Sequence, residues 1–97
     1  MPKINVLLVE DNTAQAELAQ RALNEVPGAQ FEVHRVARLA DGIARAAVGG
    51  LQVVLLDLNL PDSRGLRTVS DFLAQGFDVP VVVLTSQVDE TIGLDAM

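Results

Sequence analysis

Four positions in this 97-residue chain carry side chains that could act on one substrate together. They are the acidic pair Glu10 and Asp11, the single acid Asp57, and the hydroxyl of Thr85, which Ser86 follows. Each stands at the end of a short apolar run. Glu10 and Asp11 follow Ile4 to Val9, Asp57 follows Val53 to Leu56, and Thr85 ends the run from Val81. Short apolar runs bounded by polar residues read as buried strands. If the first and third of these strands are neighbours, three carboxylates converge on one rim. Like charges that close do not all ionise freely without a counter-charge. A hard divalent cation with oxygen ligands is the simplest remedy, and Mg²⁺ suits a site with few carboxylates plus waters and a phosphate. The formal net charge of −6 suits a site that collects a cation.

Taken singly, each residue also has a plainer reading. Glu10 and Asp11 are acids ahead of a helix, where its dipole favours them. Asp57 suits an N-cap or a turn. Thr85 is a β-branched residue in a strand. Gly65 reads as a backbone requirement of its turn. His34, a lone histidine on a polar strand, reads as surface. The combination is harder to set aside, because the acids and the hydroxyl close three core-type strands on one rim.

The elements that position them alternate. After the first strand, Asn12 or Thr13 caps a helix, with Ala14, Leu18, Ala22 and Val26 recurring at helical spacing until Pro27-Gly28. Phe31 to Val36 is a second strand, and its Glu32, His34 and Arg35 give it the polarity of an edge. A second helix places Leu39, Ala40, Ile43, Ala44 and Ala47 on one face and ends at Gly49-Gly50. Asn59 to Gly65 reads as a loop by composition. Leu66, Val69 and Leu73 mark a third helix, closed by Gly76. Pro80 precedes the fourth strand, and Asp89 caps a fourth helix. The order β-α-β-α-β-α-β-α with near-continuous apolar strands predicts a parallel sheet covered on both faces. Ligands of such sheets sit at the carboxyl ends of the strands, where strand order reverses.

Composition narrows the function classes. The acidic balance and the aromatic content of 3%, with no Trp or Tyr, argue against a nucleic-acid surface. No apolar run is long enough to span a bilayer, so no membrane partner is expected. The N-terminus shows no signal-peptide pattern. There is no cysteine, hence no disulfide and no thiolate metal site. The expectation is one cytoplasmic domain over residues 1–97.

Val-Glu-Asp-Asn at 9 to 12, Leu-Leu-Asp-Leu-Asn-Leu-Pro-Asp at 55 to 62, Gly65, and Val-Leu-Thr-Ser at 83 to 86 together resemble the receiver domains of two-component response regulators. The resemblance spans the chain, with its motifs in register with the strands. It implies a three-layer flavodoxin-like α/β fold, a doubly wound parallel sheet of strand order 2-1-3-4 with the fifth strand and helix of the family missing. It also implies a phosphoacceptor at Asp57, which takes its phosphoryl group from a histidine kinase or a phosphotransfer protein. Mg²⁺ would be bound by Glu10, Asp11, Asp57 and the backbone carbonyl of Asn59. Thr85 would bond the phosphoryl group and move on activation. On this reading the domain is a regulatory phosphoacceptor rather than an enzyme, although it assists its own phosphorylation and dephosphorylation.

One departure stands out. The family's fifth strand ends in a lysine that pairs with the phosphoryl group, and this chain ends before it. The only lysine, Lys3, begins the first strand, roughly 20 Å from the acidic rim by strand rise. The chain therefore reads as a fragment or a natural truncation. Its fourth strand, apolar on both faces, is expected to be an edge open to self-association through residues 81–85.

Three other readings compete. A phosphatase of the haloacid-dehalogenase type needs a second acid two residues after the nucleophile, where this chain has Asn59. A nucleotide-binding domain needs a glycine-rich first turn, where this chain has Glu-Asp-Asn-Thr. A degenerate receiver serving as a phosphorylation-independent interaction module has the missing lysine in its favour and the intact acids against it.

Overall fold

In a computed structural model, which describes residues 3–84, the first strand sets the layers. β1 (Ile4–Val9) buries Val6, Leu7, Leu8 and Val9 fully. Both of its faces are thus covered, as a central parallel strand requires. There follow α1 (Thr13–Asn24), β2 (Phe31–Val36), α2 (Leu39–Val48) and β3 (Val53–Asp57). A short hairpin of β4 (Asn59–Leu60) and β5 (Ser63–Arg64) comes next, then α3 (Leu66–Leu73) and β6 (Val81–Leu84). The main sheet is parallel, in the order β2-β1-β3-β6. This is the expected 2-1-3-4 order once the hairpin is set aside. Residues 85–97, including Thr85 and the helix expected from Asp89, lie outside the described residues.

Strand order and handedness fix the layers. The chain steps from β1 to β2 in one direction, then from β2 to β3 and β6 in the other. Right-handed crossovers therefore place α1 on one face and α2 with α3 on the other. The packing agrees. Leu7, Val9, Val54 and Leu56 form one core with Leu39 and Ala46 of α2 and Phe72 of α3. Val6 and Leu8, alternating with that set, face the α1 side, where Ala16 is the buried helix residue.

The helices expose several residues that helical spacing assigned to the core. In α1 the buried side is Ala16 with half-buried Ala19, Gln20 and Leu23, while Ala14, Leu18, Ala22 and, just beyond the helix, Val26 are exposed. In α2 the inward residues are Leu39, Gly42, Ile43 and Ala46, while Ala40, Ala44 and Ala47 are exposed. In α3 they are Thr68, Val69 and Phe72, with Leu66 and Leu73 exposed. Small residues occur on several sides of these helices, so spacing alone does not select the buried one. Gly42 shows what does. A Cβ there would come within 2.9 Å of Val9 Cγ2, so the glycine lets α2 lie close on β1.

The segment after Asp57 is more ordered than loop composition predicts. Asn59 pairs with Arg64 and Leu60 with Ser63 across a two-residue turn at Pro61-Asp62. Leu60 is buried in the core. Gly65 closes the hairpin, its N–H donating to the Leu58 carbonyl at 2.7 Å. Its φ of 72° is the turn requirement anticipated for it.

Candidate functional site

The site follows from register. β1 and β3 run side by side, with Val9 opposite Leu56. One step further along each strand stand Glu10 and Asp57. They meet at the carboxyl ends of the two strands between which the order reverses, the place where open α/β sheets bind ligands. Glu10 is 4% exposed and Asp57 2% exposed, whereas the neighbouring Asp11 is open to solvent. One carboxylate oxygen from each of the three lies within 4.8 Å of the others. A cleft of about 350 Å³ opens over them, lined also by Asn12, Thr13, Gln15 and Asn59.

Several bonds fix the rim. Asn12 is the α1 N-cap, its Oδ1 accepting from the Gln15 N–H at 2.9 Å. The Asn12 N–H in turn donates to Glu10 Oε2 at 3.2 Å. Asn59 and Arg64 form a pair without mutual backbone bonds, since the Gly65 N–H reaches past them to Leu58. The Asn59 carbonyl is thereby left out of the hairpin ladder.

Crowding three acids has an electrostatic cost. Burial pushes Glu10 up from 4.5 to about 7. Contact with the Asp57 carboxyl and the charges of Asp57 and Asp11 add to the rise, against the Asn12 N–H bond. Burial also raises Asp57, with Asp11 adding to it, while the bond from Glu10 and the N–H groups of Asn59 and Leu58 favour its charged form. Asp57 Oδ1 is buried with no hydrogen-bond partner. A buried anionic oxygen lacking a donor, facing two more acids, fits a bound cation. Oxygen-only ligands suit a hard divalent ion.

Glu10, Asp11 and Asp57 thus lie together, and Asn59 lines the same cleft. Thr85 follows the last described residue of β6 and lies outside the described residues. Lys3 is far from the rim in the chain's path and pairs with Glu32 at 3.8 Å. His34 is a partly buried residue whose Nε2 lies 3.5 Å from a Glu32 oxygen and 3.3 Å from Asn5 Oδ1, away from the acids. Two residues that support the site were not singled out for it from sequence. Arg35 of β2 donates to the backbone carbonyls of Glu10 and Asp11. Asp62 accepts from the N–H groups of Leu39 and Ala40 at 2.8 and 3.0 Å, tying the hairpin to the start of α2. Burial works to raise the Asp62 carboxyl, but those N–H bonds, its own N–H and Arg38 hold it below the usual carboxylate range.

The fold and this acidic rim define a class, and comparison with known proteins agrees. The family described as the response regulator receiver domain matches residues 6–97, and the chain belongs to it. Over 84 residues the chain is 37% identical to the swarming motility regulation protein RssB of Serratia marcescens, covering 87% of this chain and 37% of that protein. Over 93 residues it is 34% identical to the KDP operon transcriptional regulatory protein KdpE of Escherichia coli K12, covering 96% of this chain and 40% of that protein. The chain thus spans less than half the length of these relatives. Among solved structures, the MaeR response regulator bound to beryllium trifluoride superposes with a TM-score of 0.76 at 26% identity, covering 96% of this chain and 75% of that one. The domain is therefore a regulatory phosphoacceptor module of two-component signalling. Among the described residues, no helix is long and apolar enough to cross a membrane.

Proposed function

We propose that Asp57 is the phosphoacceptor and that Glu10, Asp11, Asp57 and the Asn59 carbonyl hold Mg²⁺ beside it. The observation that carries this reading is the buried Asp57 carboxyl, with its unpartnered Oδ1, at the base of an acid-lined cleft. An Asp57 oxygen attacks the phosphorus of a phosphohistidine on a histidine kinase or phosphotransfer protein. The P–N bond breaks, the imidazole leaves, and an acyl phosphate forms on Asp57. When bound, Mg²⁺ supplies charge neutralisation for the transferring group. Glu10 and Asp11 hold the ion in place, and the buried floor around Asp57 limits water near the nucleophile. Thr85, next in sequence after β6, is proposed to donate to a phosphoryl oxygen. The domain acts as a cytoplasmic switch that assists its own phosphorylation and dephosphorylation. In this reading it contacts neither nucleic acid nor membrane, and residues 81–85 are a proposed self-association edge.

The test is phosphorylation by a small acyl phosphate donor in the presence of Mg²⁺, followed by mapping of the labile adduct. Asp57→Asn keeps the shape and removes the nucleophile, so label should disappear. Label retained by Asp57→Asn, or mapped to another residue, would overturn the assignment.

A further inference from the structure

Asp11 is the exposed member of the acid cluster, and among the described residues its carboxylate makes no hydrogen bond. Packing therefore does not hold its side chain in place, and its direction depends on the backbone. That backbone is gripped from β2. Arg35 stands opposite Leu8 in register, two residues short of Glu10 at the rim. Its Nε donates to the Glu10 carbonyl at 3.0 Å and its Nη2 to the Asp11 carbonyl at 3.1 Å. The Glu10 N–H donates to the Val36 carbonyl at 2.9 Å. The two carbonyls belong to the peptide planes on either side of Asp11. Fixing both planes fixes φ and ψ of Asp11, and with them the direction of its Cα–Cβ bond. The ion pairs among the described residues do not include Arg35, so the guanidinium steadies the loop without occupying a carboxylate that a cation needs.

We propose that Arg35 is a positioning residue for the cation site, a two-pronged clamp on the Glu10 and Asp11 carbonyls that sets the metal affinity of the acid loop. The proposal rests on the metal-dependent phosphoacceptor reading above. A planar guanidinium can donate to two carbonyls at once in fixed geometry, which an ammonium on a flexible stem cannot reproduce. Groups that orient metal ligands without touching the ion commonly shift metal affinity by about ten- to a hundredfold. Losing the clamp should act on the affinity for Mg²⁺ and leave the nucleophile itself intact.

The experiment titrates the full chain with Mg²⁺ by calorimetry in four variants: Arg35→Met, Arg35→Lys, Asp11→Asn and Asp57→Asn. Arg35→Met keeps an apolar stem against the sheet and drops the donors. Its Mg²⁺ affinity should fall roughly tenfold, with Arg35→Lys in between. Its rate with a small acyl phosphate donor should fall at low Mg²⁺ and recover the wild-type value at saturating Mg²⁺. In metal-free protein, amide exchange at Asn12 should quicken. If Arg35→Met fails to fold, Arg35→Lys carries the test, because it keeps charge and stem and loses only the fork. Unchanged Mg²⁺ affinity in the folded Arg35 variants, with loss in Asp11→Asn and Asp57→Asn, overturns the clamp and leaves the site reading standing. Unchanged affinity in all four variants overturns the site reading itself.

Discussion

Metal-free protein should lose stability as pH rises through neutrality, and Glu10 should be the cause. Its folded-state pKa is raised from 4.5 to about 7, chiefly by burial. Between those values the folded state holds a proton that the unfolded chain has released. Stability rises with pH only where the unfolded state binds more protons, so here it falls. The contribution is fully present below pH 4.5 and is lost as pH passes 7. A rise of that size corresponds to roughly 3 kcal/mol, a large part of the 5–15 kcal/mol (roughly) that holds a domain together. Asp57, also raised by burial, adds in the same direction. Asp62 acts the other way, since its lowered pKa contributes stability that is lost only as pH falls into the acid range. A scan from about pH 5 to pH 8 avoids that range. Urea denaturation across the scan, with chelator, should show a falling profile. Glu10→Gln keeps the shape and removes the titration, so its profile should flatten and it should be the more stable protein at the alkaline end. Added Mg²⁺ should flatten the wild-type profile too, because the ion takes the place of the proton, and apparent Mg²⁺ affinity should climb up to about pH 7. Metal-free stability that stays level or rises across the scan in the wild type would refute the argument. So would a Glu10→Gln profile that falls as steeply as the wild type.

Other perturbations give sharper structural tests. Gly42→Ala gains about 1 kcal/mol of helix propensity. It must also push a Cβ against the stiff, buried Val9 side chain, a cost of about 1–3 kcal/mol. A net loss of about 1 kcal/mol in chemical denaturation is expected, and a gain would mean that α2 is free to move off β1. Asp62→Ala removes the carboxylate that caps α2 and should cost about 1 kcal/mol, with faster amide exchange at Leu39 and Ala40. Unchanged exchange would show that the cap is made elsewhere. Phe72→Ala should cost about 3–5 kcal/mol, because the ring is fully buried and packs 5.6 Å from the ring of Phe77; a loss under about 1 kcal/mol would place Phe72 outside the core.

The strands and the rim were legible because their signal is local and redundant. Ile4 to Val9 and Val53 to Leu56 are apolar at every position but Asn5, so no choice of face was needed to recognise buried strands. The acids that end them had nowhere to go but the rim. Helix faces were harder. α1 carries apolar residues at Ala14, Ala16, Leu18, Ala19, Ala22 and Leu23, which supports more than one stripe at helical spacing. The structure buries the side with Ala16 and leaves Leu18 exposed. In α3 the missed residue is polar. Thr68 is fully buried because its hydroxyl shares a 2.8 Å hydrogen bond with Ser63 on the hairpin, a partner that periodicity does not reveal.

The same distinction separates the acids from the groups that aim them. Glu10, Asp11 and Asp57 announce themselves by type and by position at strand ends. Arg35 and Asp62 do not, because each acts on a backbone distant in sequence, 24 or 25 residues away for Arg35 and 22 or 23 for Asp62. In sequence Arg35 is one more polar residue on an edge strand, and Asp62 one more turn acid beside a proline. Only parallel pairing of β1 with β2 brings the guanidinium to the Glu10 and Asp11 carbonyls. Only the hairpin brings the Asp62 carboxylate to the start of α2, whose own N-cap position, Arg38, makes no side-chain cap bond. Both contacts tie a segment bearing site residues to a different element of the fold. Arg35 holds the loop of Glu10 and Asp11 to β2, and Asp62 holds the hairpin of Asn59 to α2.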